Sequence, residues 1–165
     1  MEKQSDDIIE IVDFETKYRT AYRDLNVEWI SAYFEMEETD YRMLENPEGY
    51  VLERGGFIKV ALLNGEPVGV GAMVKMRDPE YDFEMAKMAV SPKAQGKKIG
   101  WLLVQSLIGK AREVGARKIY LESNTVLKPA INLYYKLGFQ EIEGRTTPYK
   151  RVNIQMELAL NPTEQ

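Results

Sequence analysis

Apolar residues recur along this chain first at the spacing of helices and then at that of strands. Ile8, Ile9, Ile11 and Val12 predict a short opening strand. Tyr18, Ala21, Tyr22, Leu25, Trp29, Ala32 and Tyr33 follow at three-and-four spacing, the stripe of an amphipathic helix. A second helical piece is predicted over 39–45 and must stop before Pro47, because the residue preceding a proline avoids the helical region. Strand character over 57–63, the hairpin pair Asn64-Gly65 and a strand over 68–76 predict a hairpin, with a third strand at 81–90. Ile99, Leu102, Leu103, Leu107, Ala111 and Val114 outline a long amphipathic helix over 99–114, stopped by Gly115. Then come a buried strand over 118–122, a short helix over 129–137 bracketed by Pro129 and Gly138, and a strand over 139–142. A last strand over 151–158 alternates Val152, Ile154, Met156 and Leu158. This order predicts an α/β (α+β) fold, a mixed sheet with helices on its faces.

The length of 165 residues fits a single domain over 1–165, and no repeat or linker-like stretch divides the interior. Hydrophobic residues make up 44% and charged residues 29%, and no apolar run approaches the roughly 20 residues of a membrane helix, so no membrane partner is expected. The polar, acidic N-terminus lacks the basic and apolar regions of a secretion signal, and a cytoplasmic location follows as the expectation. There is no cysteine and no histidine. Disulfides, thiolate nucleophiles, Cys or His zinc sites and every Ser-His or Cys-His pair are excluded, and no metal is expected. Proton transfer near neutral pH must then use a perturbed carboxylate, tyrosine or lysine, or water. A net charge of -4 argues against a nucleic-acid partner.

One basic patch stands out against that charge. In the segment MAVSPKAQGKKIGWLLV, residues 88–104, a strand runs into a turn holding Lys93, Gly96, Lys97 and Lys98 and then into a helix with Gly100 in its first turn. Unpaired N–H groups at a helix start bind phosphate oxygens, and glycines let the backbone approach closely. A solvated lysine-rich turn is the other reading of the same residues. Neither G-x-x-x-x-G-K-[ST] nor G-x-G-x-x-G is present, which weighs against a nucleotide triphosphatase and a dinucleotide fold.

The stretch VSPKAQGKKIG, residues 90–100, resembles the coenzyme A pyrophosphate loop of the GNAT superfamily of N-acyltransferases, written Q/R-x-x-G-x-G/A. Downstream, AINLYYKLGF, residues 130–139, is similar to the A-x-x-L-Y-x-x-x-G-F segment of the same superfamily. The resemblance covers 57–158, and residues 1–50 fit the variable acceptor-binding part. Lys98 departs from the pattern, standing where the family has its middle glycine. A residue with a side chain must then hold that backbone shape.

The resemblance implies a mostly antiparallel sheet with a splayed strand pair for the cofactor, and acetyl-CoA as cosubstrate. Met88, Ala89 and Val90 would make main-chain contacts with pantetheine. Gln95, Gly96, Lys97, Lys98, Ile99, Gly100 and Trp101 would form the pyrophosphate site. Asn124 matches a position that contacts the cofactor or orders an acceptor-side water, and is also an ordinary helix N-cap residue. Glu84 matches a general base and Tyr134 the acid that protonates the departing thiolate, although a glutamate near a strand start is also read as partly exposed surface and a tyrosine on a short amphipathic helix as an ordinary core residue. Strand alternation places Glu84 on one face with Ala86, Met88 and Val90, a carboxylate among apolar groups whose pKa burial should raise.

The function implied is acetyl transfer to a primary amine by direct attack in a ternary complex. The acceptor is a small-molecule or peptide amine, and a homodimer is compatible with this reading. A non-catalytic acyl-CoA-binding or sensing module that holds a protein partner is the alternative. Glu28, Glu35, Glu37, Glu38 and Asp40 either form an ordinary solvated helix face, the commoner outcome of such a run, or steer a cationic amine toward the acceptor side. Arg151, read at the start of the last strand, offers instead a bidentate anchor for an acceptor carboxylate.

Overall fold

The computed structural model describes residues 6–160. Its elements are β1 (Ile9–Asp13), α1 (Arg19–Tyr33), α2 (Glu38–Glu45), β2 (Phe57–Leu63), β3 (Glu66–Lys75), β4 (Phe83–Val90), α3 (Ile99–Glu113), β5 (Lys118–Ser123), α4 (Lys128–Lys136), β6 (Gln140–Ile142) and β7 (Ile154–Ala159). The strands form one sheet in the order β1-β2-β3-β4-β5-β7-β6. Every neighbouring pair is antiparallel except β4 and β5. The predicted order of strands and helices is the order observed.

The chain departs from the pattern reading between α2 and β2 and again before β7. A single π-helical turn, Glu48–Leu52, follows Pro47 and buries Val51. The last strand begins at Ile154 rather than at 151, and Arg151 stands ahead of it with its side chain drawn away to Asp40.

Helices cover both faces of the sheet. On one side Tyr18, Tyr22, Leu44 and Val51 pack on Ile58, Val60, Val70, Ala72 and Ala89. On the other, Val104, Leu107 and Ala111 of α3, with Ile131 and Tyr134 of α4, pack on Met73, Phe83, Met85, Leu121 and Met156. Gly69 lets α3 lie close to β3, since a Cβ there would meet Leu103 at 3.0 Å and Ile99 at 3.1 Å. No helix among the described residues is long and apolar enough to cross a membrane.

The feature that shapes the site is a bulge in β4. Val70 pairs with Ala89 and Ala72 with Ala86, so Lys87 and Met88 together oppose Gly71 alone. Lys87 takes up the extra residue with a φ of 57°, in the left-handed region. The bulge corrects the expected face. Phe83, Met85, Met88 and Val90 pack on the α3 side, whereas Glu84 and Ala89 point to the α1 side. Glu84 therefore does not share a face with Met88 and Val90.

Candidate active site

Strands β4 and β5 pair only at Phe83 with Ile119 and at Glu84 with Tyr120, and then part. Past Glu84, the edge of β4 that faces β5 has no strand partner, so its N–H and C=O groups stand open. A cleft of about 920 Å³ occupies the gap and borders the start of α3, the β4 edge, Tyr134 of α4 and the ends of α1 and α2.

At the α3 end, Lys98 adopts φ 62° and ψ 26°, a left-handed N-cap that no side chain satisfies. A lysine thus holds the backbone shape for which the family pattern has a glycine. Gly96 has φ 83° and open space where a Cβ would project. The first N–H groups of α3 have no intrahelical partner and carry the positive end of the helix dipole. A diphosphate needs unpaired donors and close backbone approach, and an amide-bearing arm needs an open strand edge. Both are present along one cleft, so the residues fit coenzyme A.

Gln95, Gly96, Lys98, Ile99 and Gly100 border this cleft, as do Met88, Ala89, Val90 and Asn124. Lys97 and Trp101 do not. Lys97 turns outward to an ion pair with Asp7 at 2.7 Å, and Trp101 is half-buried elsewhere on the first turn of α3. At Gly100 a Cβ would meet only Leu133, at an ordinary 3.6 Å. Gly100→Asp should therefore fold normally yet lose coenzyme A binding in calorimetric titration by about 100-fold or more, because it sets a carboxylate against the diphosphate seat. Unchanged affinity in the folded variant contradicts that seat.

Glu84 faces the cleft without an ion pair or hydrogen bond among the described residues. Burial, helped by the nearby Glu122 carboxylate and opposed by Lys87, pushes its pKa up to about 7. Glu122 accepts hydrogen bonds from the hydroxyls of Tyr120 at 2.8 Å and Thr147 at 2.9 Å. Tyr134 is 8% exposed and its ring packs on Phe139 at 5.7 Å. Burial pushes its hydroxyl up to about 12, and that hydroxyl has no partner among the described residues. Core packing and an available proton donor thus coexist in one side chain.

Asn124 is engaged at both ends, with Oδ1 accepting from Val126 N–H at 2.8 Å and Nδ2 donating to Arg151 O at 2.7 Å. It closes a turn. The N-cap of α4 is Leu127.

A buried charge cluster at the end of the cleft that α1 and α2 border has no counterpart in the pattern reading. Asp40 is wholly buried in α2, where it accepts two hydrogen bonds from the Arg151 fork at 2.7 and 2.8 Å and one from Lys87 Nζ at 2.7 Å. It also caps α2, accepting from Glu37 N–H at 2.9 Å while the Glu37 side chain closes the reciprocal box. Tyr149 lies between the two cations, 4.9 Å from Lys87 and 4.5 Å from Arg151. The bulge is what brings Lys87 to Asp40.

Two expectations are corrected here. Asp40 and Glu37 are bound within the protein rather than offered to an amine, and the Arg151 fork is closed on Asp40 rather than open to an acceptor carboxylate.

The segment 143–153 roofs this end with alternate residues turned inward. Arg145 pairs with Asp78 and stacks over Tyr81 and Tyr120, Thr147 reaches Glu122, Tyr149 reaches Lys87 and Arg151 reaches Asp40. Its signal in the sequence is the alternation R-T-T-P-Y-K-R, which reads as loop unless period two is sought there. No group of three or more Asp or Glu among the described residues is placed to hold a metal ion.

A family model described as the acetyltransferase (GNAT) family matches residues 19–139. Among curated proteins, the uncharacterized N-acetyltransferase YjgM of Escherichia coli (strain K12) is 39% identical over 80 residues, 48% of this chain and 48% of that one. N-acetyltransferase 8 of Rattus norvegicus is 28% identical over 102 residues, 60% of this chain and 46% of its own. The chain spans about half the length of these curated relatives. Among solved structures, a GNAT-family acetyltransferase from Staphylococcus aureus Mu50 matches with a TM-score of 0.84 at 22% identity, over 93% of this chain and 100% of that one. YncA from Salmonella typhimurium, solved with its cofactor acetyl-CoA, matches with a TM-score of 0.74 at 21% identity, over 96% and 97% of the two chains. These structures share the fold.

Proposed function

Because the chain belongs to the GNAT family of acetyltransferases, we propose that it transfers an acetyl group from acetyl-CoA directly to a primary amine in a ternary complex. Residues 57–158 would serve the cofactor side and residues 1–50 the acceptor side of one domain. The observation that carries this reading is the position of Glu84, a proton acceptor with a pKa of about 7 on the same cleft as the open β4 edge and the start of α3. A module that only bound acyl-CoA would gain nothing from an unpaired, largely desolvated carboxylate on the wall of the cleft, which costs stability.

The N–H groups of Lys98, Ile99 and Gly100 would hold the diphosphate, with Gln95 and Gly96 lining the approach. The main chain of Met88, Ala89 and Val90 would pair with the pantetheine arm. Acetyl-CoA supplies the thioester that an amine can attack without an acyl-enzyme. An alkyl ammonium of pKa about 10.4 is neutral at pH 7 in fewer than about one molecule in a thousand, so the acceptor must first lose a proton. Glu84, ionised above pH 7, takes it directly or through water. A main-chain N–H of the β4 edge faces the negative charge that develops on the carbonyl oxygen. Tyr134, kept protonated by its raised pKa, would give its proton to the departing sulfur and recover one, through water, from the nitrogen as it loses its second proton and becomes the amide.

Tyr134→Phe keeps the ring against Phe139 and removes only the hydroxyl. It should lower kcat by about 10- to 100-fold at unchanged thermal stability. Wild-type kcat at every pH leaves Tyr134 a core residue alone. The reading as a whole is tested by offering acetyl-CoA with a panel of amines and following free thiol, to which a chain without cysteine adds no background. Amine-dependent thiol release supports it. Coenzyme A binding with no release for any amine would make the chain a binding module.

A further inference from the structure

Resting on the acetyl-transfer reading, we infer that the acceptor is a primary amine carried on an uncharged, apolar or aromatic body, and that amines bearing a carboxylate are rejected. Three features of the acceptor end lead to this.

The first is an aromatic wall without a cover. Trp29, Tyr33 and Phe34 follow one another at the end of α1 with ring centroids 5.5 and 6.2 Å apart, and all three border the cleft with Met43 and Met76. Tyr33 remains 50% exposed, so its ring offers apolar surface that nothing in the described residues buries.

The second is that every cation bordering this end is already engaged. Lys87 and Arg151 are bound to fully buried Asp40, and Arg145 to Asp78. Holding an acceptor carboxylate bidentately needs a free guanidinium fork. Drawing Arg151 away would leave a buried carboxylate short of its main partner, a cost that exceeds what a solvent-accessible ligand carboxylate returns.

The third is that the two carboxylates bordering this end, Glu84 and Glu122, have no cation paired to them. Glu84 has no ion pair among the described residues, and Glu122 receives only the Tyr120 and Thr147 hydroxyls. They lie on the same face of adjacent strands, since Glu84 is level with Tyr120, whose hydroxyl reaches Glu122. Such a seat draws an ammonium and repels a carboxylate on the carbon beside it. Together the three features select a charged head and an apolar body.

The probes are 2-phenylethylamine, phenylalaninamide, phenylalanine, propylamine and spermidine, each with saturating acetyl-CoA and thiol release as the readout. Both 2-phenylethylamine and phenylalaninamide should exceed phenylalanine, propylamine and spermidine by tenfold or more in kcat/KM. A lead for the amide points to a peptide N-terminus as the source of this chemistry, and a lead for 2-phenylethylamine to a free amine. Tyr33→Ala, at a half-exposed position that the fold does not need, should shrink the preference for 2-phenylethylamine over propylamine at least threefold. Phenylalanine matching its amide, spermidine leading the set, or an unchanged preference in Tyr33→Ala each overturns this inference while acetyl transfer stands. Release only with amines outside these five overturns this inference alone, whereas coenzyme A binding without release for any amine of the wider panel overturns the acetyl-transfer reading, and this inference falls with it.

Discussion

Glu84→Gln is expected to lower kcat/KM by about 100- to 10,000-fold and to abolish the acidic limb of its pH profile, with acetyl-CoA affinity nearly unchanged. In the wild type only the ionised carboxylate accepts the amine's proton, so the rate should climb with pH and level off above a pKa of about 7. Glutamine keeps the shape of the side chain and cannot accept that proton, which leaves a low rate with no break near pH 7 that rises only with the neutral fraction of the amine. The same substitution should raise stability in alkaline buffer. The folded pKa of Glu84 lies above the ordinary carboxylate range, so the folded state holds the proton more tightly than the unfolded chain. Stability is therefore fully present below about pH 4.5 and falls as pH rises through about 7, where wild type must bury a charge and the glutamine variant need not. A variant that is less active yet harder to unfold at pH 8 is the joint signature. An acidic limb that stays in place assigns the proton to another group or to water.

Asp40→Asn is expected to cost about 3–5 kcal/mol of folding stability, because it leaves Lys87 and Arg151 facing each other without their shared counter-charge. In a chain of this size that lowers Tm by about 10 °C, since each kcal/mol shifts it by about 2–4 °C. Burial by itself raises the Asp40 pKa, but the Arg151 fork and Lys87 outweigh it and bring the group down to about 2. The sign is opposite to that of Glu84. The stabilisation from Asp40 is present at neutral pH and is lost as pH falls from about 4 toward about 2. Urea titrations at pH 7 and pH 3 should show the wild type and the variant far apart at the first and closer at the second. Because Arg151 and Tyr149 also anchor the roof over the acceptor end, KM for the amine should rise more than KM for acetyl-CoA. A loss under about 1 kcal/mol at neutral pH, the size typical of an exposed pair, contradicts the buried cluster.

These two residues show what could and could not be read from the chain alone. The order of elements was legible because each long element keeps its own period and its own stop, as with the Gly115 end of α3 and the Asn64-Gly65 turn. Glu84 was legible as a carboxylate in an apolar strand. Its neighbours were not, because the bulge at Lys87 is set by pairing with Gly71 on β3, and nothing local marks a lysine for a left-handed backbone. Alternation carried past that point assigned Met88 and Val90 to the wrong face.

Asp40 sits in a run of acids on a helix, where a solvated face is the usual outcome, and only the tertiary approach of Lys87 and Arg151 makes it a buried centre. Adjacent lysines were divided in the same way. The left-handed turn at Lys98 keeps that residue on the cleft, while Lys97 goes outward to Asp7. The inward alternation of Arg145, Thr147, Tyr149 and Arg151 was present in the sequence, but residues 143–153 form no strand of their own, so the period of two there signals a roof rather than a sheet.

Acetyl-CoA labelled in its acetyl carbon, mixed in a single turnover with the protein and an accepted amine, tests the central claim most directly. Direct transfer moves the label into the acetylated amine in step with thiol release, leaves none on the protein at any time, and gives no release when the amine is omitted. Label retained on the protein, or thiol released at the same rate without amine, contradicts transfer from acetyl-CoA to amine in one ternary complex.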